Sequence, residues 1–302
     1  MPEFSRRDVS SLCAGLLLPS FPAFAQAPLL ARPIPHGNGE SLPMVGVGTV
    51  NVFDVGLGDE AGPIAVVKAL IAGGGTLVDT APSYARAESV VGDVVKATGM
   101  RPKVIIATKL ERYRSGQLAA ETRQSLAALK TDKIDILQLH NVRDSNQDMN
   151  ELNALKTQGL CRYTGITTTF EGSYGAAEAI IRRTKPDFVE IDYAIDNREA
   201  EQRILPAARD AGSAVLVALP FGRGRLFRTA LGKKLPDFAS EIDCASWAQF
   251  FLKFILGHPA INAVIPGTDK PEHMVDNLGA ARGRLPDAAM RARMIKYVEQ
   301  LS

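Results

Sequence analysis

From Met44 onward, eight short apolar runs recur at a steady pitch, each followed by a stretch with helical periodicity. The runs are MVGVGTV (44–50), GTLVDTA (75–81), KVIIATK (103–109), IDILQLH (134–140), RYTGIT (162–167), DFVEIDY (187–193), AVLVAL (214–219) and INAVIPG (261–267). They are nearly continuous in apolar character instead of alternating, which is the pattern of parallel strands covered on both faces. Between them lie GPIAVVKALIAGG, SGQLAAETRQSLAALKTD, REAEQRILPAARDAG and SWAQFFLKFILGHP, several closing on Gly or Pro, the usual helix stops. Parallel strands alternating with helices, eight times over, predict an α/β chain folded as a (β/α)8 TIM barrel in a single domain. The competing doubly wound sheet would carry a G-x-G-x-x-G turn after its first strand. Gly46-Val47-Gly48-Thr49 has no third glycine at that spacing, so the barrel is preferred.

A barrel of this kind places its chemistry at the carboxyl ends of the strands. Reading those ends in order gives Asp79 and Tyr84 after the second run, Lys109 closing the third and His140 closing the fourth. Each alone has a bland reading: a packed tyrosine, a solvated lysine, a satisfied core histidine. Four polar groups from three successive strands converging on one mouth point to a site. They suit proton delivery to a carbonyl oxygen. A free phenol titrates near ~10, and a neighbouring ammonium favours the phenolate. Lys109 is therefore expected to lower the Tyr84 pKa, with Asp79 offsetting the buried lysine charge and His140 orienting the substrate oxygen. A Schiff-base role for Lys109 is a weaker alternative.

These residues sit in blocks that resemble the aldo-keto reductase superfamily over about residues 40 to 280. VDTAPSYARAESVVG matches that family's Asp-Thr-Ala…Tyr…Glu…Gly block, IIATK its lysine strand, ILQLHN its histidine strand and AVIPGTDKPEHMVDN its cofactor block. The resemblance implies a catalytic tetrad of Asp79, Tyr84, Lys109 and His140, with Tyr84 as general acid for hydride transfer from a nicotinamide to a small carbonyl substrate. It also implies a cofactor set of Gly48, Thr49, Thr167, Thr168, Glu190, Phe221, Gly222, Arg223, Gly224, Thr268, His273 and Asn277. Several of these depart from the family pattern. Thr167 and Thr168 stand where Ser and Asn would hold the nicotinamide amide. Glu190 replaces a Gln and can accept but not donate. The stacking aromatic aligns with Ala218, with Phe221 nearby. The arginines of PFGRGRLFR suit phosphate oxygens, and the segment 222–243 is expected to be a long loop acting as a cofactor lid. His273 stands where an arginine commonly grips a 2′-phosphate, so NADP is expected with NAD as the other possibility, Lys270 compensating. The second reading, from a different class, is a non-catalytic binding module with an altered cofactor site.

The opening residues read separately. MPEFSRRDVSSLCAGLLLPSFPAFAQA pairs Arg6 with Arg7, continues in an apolar stretch broken by Pro19 and Pro22, and ends on Ala23-Phe24-Ala25. That order is the order of a twin-arginine export signal with a small-x-small cleavage site. The expectation is a signal peptide over 1–25, recognition by the twin-arginine export machinery, no stable membrane anchor and a periplasmic protein. Cleavage after Ala25 would leave about 277 residues of the 302, close to the ~250 typical of the barrel, as one domain over 26–302.

Composition narrows the partners. A net charge of +2 with no long basic run argues against nucleic acid. The three cysteines, Cys13, Cys161 and Cys244, have no metal-ligand spacing, although a Cys161–Cys244 bridge is compatible with the sequence. No large exposed apolar stripe gives a reading of the oligomeric state.

Overall fold

The computed structural model describes residues 28–111 and 116–301; the expected signal peptide lies outside the described residues. The eight runs form one sheet of parallel strands: β3 (Val47–Gly48), β4 (Leu77–Asp79), β5 (Ile105–Leu110), β6 (Ile134–Leu139), β7 (Cys161–Thr168), β8 (Phe188–Asp192), β9 (Ala214–Ala218) and β10 (Ala263–Val264). Each pairs with its sequence neighbour in parallel. Bridges Val45 to Val264 and Gly48 to Gly267 join the first strand to the last and close the barrel. Gly48 serves this seam, and Gly46 allows close approach to β4. A Cβ on Gly48 would lie 2.8 Å from the Ile265 carbonyl oxygen, and one on Gly46 would lie 2.7 Å from that of Leu77.

Helices α1 (Ala61–Ala72), α2 (Ala87–Thr98), α3 (Leu118–Ala128), α4 (Asn150–Thr157), α5 (Tyr174–Thr184) and α6 (Ile204–Ala211) cover the outside of the strands. They are followed by α7 (Arg225–Thr229), α8 (Trp247–Leu256), α9 (Pro271–Gly279) and α10 (Ala288–Glu299). The 222–243 segment is therefore not the plain loop expected from sequence. It carries α7 and a 3-10 turn at Asp237–Ile242, whose Phe238, Ala239 and Ile242 are buried.

Burial divides along the two-residue period of each strand. Val78, Ile106, Leu137, Leu139, Val189, Val215 and Val217 face the helices in the larger core. Leu77, Ala107, Ile136, Tyr163, Phe188, Ala214 and Leu216 fill the barrel interior as a second cluster. That interior is stoppered by a hairpin the sequence reading lacked, β1 (Ala31–Pro33) against β2 (Ser41–Pro43), antiparallel. Its Ile34 and Leu42 join the interior cluster. Arg32 pins it by donating to the carbonyl oxygens of Leu256 (2.9 Å) and His258 (2.7 Å), at the end of α8. Glu40 pairs with Arg162 and accepts from the Tyr163 hydroxyl at the amino end of β7. Apolar side chains close this end, so the polar chemistry collects at the other.

Candidate active site

Above the apolar filling, the last inward-facing position of several strands becomes polar. Asp79 follows Leu77, Lys109 follows Ala107, Gln138 follows Ile136 and Glu190 follows Phe188, each two residues along its strand. Register sets Lys109 beside Gln138. The Lys109 ammonium donates to both Asp79 oxygens, at 2.7 and 2.6 Å, and to the Thr80 carbonyl at 3.1 Å. Glu190 Oε1 lies 3.5 Å from the same nitrogen, while its Oε2 accepts from Gln138 Nε2 at 2.8 Å. Two carboxylates thus share one ammonium in a layer where Asp79, Lys109 and Glu190 are all at most 2% exposed.

This arrangement shifts the groups in definite directions. Burial, reinforced by the Glu190 charge, holds the Asp79 carboxyl well above its ordinary value despite Lys109. Burial works to lower Lys109, but the Asp79 and Glu190 charges outweigh it and keep the ammonium charged.

Tyr84 stands in the turn leading into α2, half-buried, with the Lys109 nitrogen 5.2 Å from its ring centre. The expected lowering of its pKa is not the net result. Burial pushes the phenol above its ordinary value, Asp79 and Glu190 add to the rise, and Lys109 offsets only part of it. The hydroxyl keeps its proton, the state required of a donor. His140 meets the Tyr84 ring edge-on, with centres 5.9 Å apart.

The cavity at this mouth has a volume of about 330 Å³ and is lined by Asp79, Tyr84, His140 and Glu190 together with Gly48, Phe221, Arg223 and Gly224. A second cavity, about 400 Å³, shares Phe221 and Gly267 with it and reaches Thr268, His273 and Asn277 beside α9. One cleft therefore runs from the tyrosine to α9, with Phe221 at its waist. Gly222, Arg223 and Gly224 all hold positive φ (54°, 54° and 82°), forming a tight turn that presents Arg223 to the cleft.

Other residues of the expected cofactor set sit back from this surface. Thr167 Oγ1 accepts from the Asn141 backbone N–H at 2.7 Å, and the fully buried Thr168 turns its hydroxyl to the Phe170 carbonyl at 3.4 Å. Thr49 is buried behind Gly48, and its hydroxyl has no hydrogen-bond partner among the described residues. Asn141, Thr169 and Phe170 line the cavity in front of these threonines. Asn141, adjacent to His140, and Thr169, adjacent to Thr168, could have been found from their positions in the sequence.

Residues 45–296 match the Aldo/keto reductase family. The chain belongs to the aldo/keto reductase family. Among curated relatives, the uncharacterized oxidoreductase YqkF of Bacillus subtilis is 23% identical over 286 residues, covering 80% of this chain and 90% of the relative. The aldo-keto reductase ausK of Emericella nidulans is 26% identical over 299 residues, covering 82% and 74%. Among solved structures, an aldo-keto reductase from Klebsiella pneumoniae in complex with NADPH superposes with a TM-score of 0.74 at 22% identity, covering 89% of this chain and 96% of that one. The holo form of aldo-keto reductase AKR11C1 from Bacillus halodurans gives 0.72 at 22% identity, covering 89% and 96%. These two likenesses concern the fold.

Family membership leaves two residues of the site unaccounted for by the sequence reading. Gln138 clamps Glu190 from the neighbouring strand, and Glu111 hydrogen-bonds His140. Neither falls in an expected position, because each acts through a side chain distant in sequence. Both remaining described cysteines are free thiols, so the Cys161–Cys244 bridge is not formed. Cys161 is buried at the start of β7. Among the described residues no group of three or more His, Cys, Asp or Glu is placed to hold a metal ion, and no helix is long and apolar enough to cross a membrane.

Proposed function

We propose that the protein is an oxidoreductase that reduces an aldehyde or ketone with NADPH, Tyr84 serving as general acid. The observation that carries this reading is a phenol and an imidazole lining one cavity, with a buried ammonium 5.2 Å from the phenol ring centre. Tyr84 supplies the proton to the carbonyl oxygen, His140 orients that oxygen, and Lys109 holds the positive charge on which the departing phenol proton depends. NADPH, when bound, supplies the hydride.

The residues present fit such a cofactor. The cleft is continuous past Phe221, Ala218 adds no bulk to its floor, and the orphaned Thr49 hydroxyl lies behind the wall at Gly48. Arg223 and His273 in the cleft, with Lys270 at the start of α9, suit phosphate oxygens, which supports NADP. Solved relatives captured with NADPH or NADP point the same way. The test is Tyr84→Phe in a panel of carbonyl substrates, with NADPH and NADH in parallel. Turnover should fall about 10²–10⁴-fold with the fold intact. Undiminished turnover would remove Tyr84 from the mechanism, whereas absence of turnover and of nicotinamide binding in the wild-type protein would return the non-catalytic reading.

We further propose, from the Arg6-Arg7 pair and the Ala23-Phe24-Ala25 site, export to the periplasm with the nucleotide already bound. Isolation from the periplasm should give a chain starting near Gln26 and releasing NADP or NAD on denaturation. A chain that keeps Met1 or a nucleotide-free protein would overturn this.

A further inference from the structure

His140 has a partner that its place in the site does not require. Its Nδ1 lies 2.6 Å from Glu111 Oε1, and the same oxygen accepts from Ser83 Oγ at 2.6 Å. Both ends of this contact are fixed. The Glu111 N–H donates to Glu121 Oε1 at 2.7 Å, and the His140 N–H donates to the Leu110 carbonyl at 3.0 Å. Glu111 is half-buried. Burial works to raise its carboxyl, but hydrogen bonds from His140 and Ser83 outweigh this and hold it below its ordinary value. Glu111 is accordingly an acceptor at neutral pH.

An acceptor at Nδ1 decides what the other ring nitrogen does. In a neutral imidazole one nitrogen donates and the other accepts. With the proton held at Nδ1, neutral His140 can present only the Nε2 lone pair, which repels a carbonyl oxygen. Donation to that oxygen requires the doubly protonated ring.

We propose that Glu111 is a positioning residue that fixes the proton on Nδ1 of His140, so that His140 donates to the substrate oxygen only as the imidazolium. This deepens the reductase reading and rests on it for the substrate. Carbonyl reduction then declines with rising pH as the ring loses its second proton, and alcohol oxidation gains. The charged and titratable groups around the ring are Tyr84 at its edge, Glu111 at Nδ1, and Lys109, Asp79 and Glu190 in the layer below.

The test is nitrogen-15 NMR of the His140 imidazole in the full chain from pH 5 to 9, alongside the pH profile of turnover, for wild type, Glu111→Gln and Glu111→Asp. The neutral ring in wild type should be the Nδ1–H tautomer. Glu111→Gln should move the ring's titration and the falling limb of the reduction profile to lower pH together, with turnover at pH 7 down roughly 10-fold, short of the ~10²-fold or more for losing a general acid. Glu111→Asp should restore much of both. A neutral Nε2–H tautomer in wild type, or a titration unmoved in Glu111→Gln, overturns the proposal. The wild-type spectrum decides even where a variant does not fold. The expected tautomer in a protein that reduces no carbonyl would uphold the pairing and defeat the reductase reading.

Discussion

Replacing Lys109 with Met should expose the energetic tension of the polar layer. The ammonium contributes two contacts of 2.6–2.7 Å to Asp79, one of 3.1 Å to Thr80 and a longer one of 3.5 Å to Glu190. Methionine preserves the unbranched stem but leaves two buried carboxyls without a cation. Breaking a buried pair by removing one partner costs about 3–5 kcal/mol. At roughly 2–4 °C per kcal/mol for a barrel of this size, Tm should drop by about 6–20 °C.

The pH dependence follows from the direction of the Asp79 shift. Its folded pKa is raised, so the folded state gains on protonation, and stability is lost as pH rises from the unfolded carboxyl value near ~3.9 through the folded one. Without Lys109 that folded value rises further. The variant's deficit should therefore be widest at pH 7–8 and shrink toward pH 4. Adding Asp79→Asn should recover part of it, because a neutral amide needs no cation. Thermal melts by circular dichroism at pH 4, 5.5 and 7.5 are sufficient. A deficit under about 1 kcal/mol, within the range of an exposed pair, or one that grows on acidification, would refute this account of the layer.

Two further outcomes test the frame around the site. A Cβ on Gly92 of α2 would lie 2.2 Å from the Ala128 carbonyl oxygen and 2.9 Å from the Leu129 Cα. Gly92→Ala should thus force α2 and α3 apart and cost about 1–3 kcal/mol, read as a lower urea midpoint; an unchanged midpoint would show that the contact is not tight. Burial pushes the Cys161 thiol up to about 12 and that of Cys244 up to about 11. Peptides containing either should stay unalkylated at pH 8 in the native protein while reacting promptly in urea, since thiolate is the reactive form. Fast native alkylation at Cys161 would mean that β7 opens readily.

Much of the site was legible because barrel strands announce their inner face. LVD, ATK and VEI each interrupt an apolar run with a charged residue near the strand's carboxyl end, and a charge there is costly unless partnered. Asp79, Lys109 and Glu190 are singled out this way or by family resemblance, and the structure brings them into one ion-paired layer. The hairpin of residues 31–43 was not legible, because three-residue strands carry too little periodicity to stand out. The helix within 222–243 escaped for a related reason: GRGRLFRTALG reads as turn chemistry until Leu226 is seen to be buried against the barrel.

The amino-acid order by itself determined the number of strands, their parallel sense and which end of each carries polar groups, since these depend on local hydrophobic pattern. The tertiary structure alone decided the balance of charge. Whether the Tyr84 proton is loosened or held depends on how many carboxylates crowd one ammonium, and how far water is excluded from them. Electrostatic energy depends on through-space separation and burial, and neither is encoded by spacing along the chain.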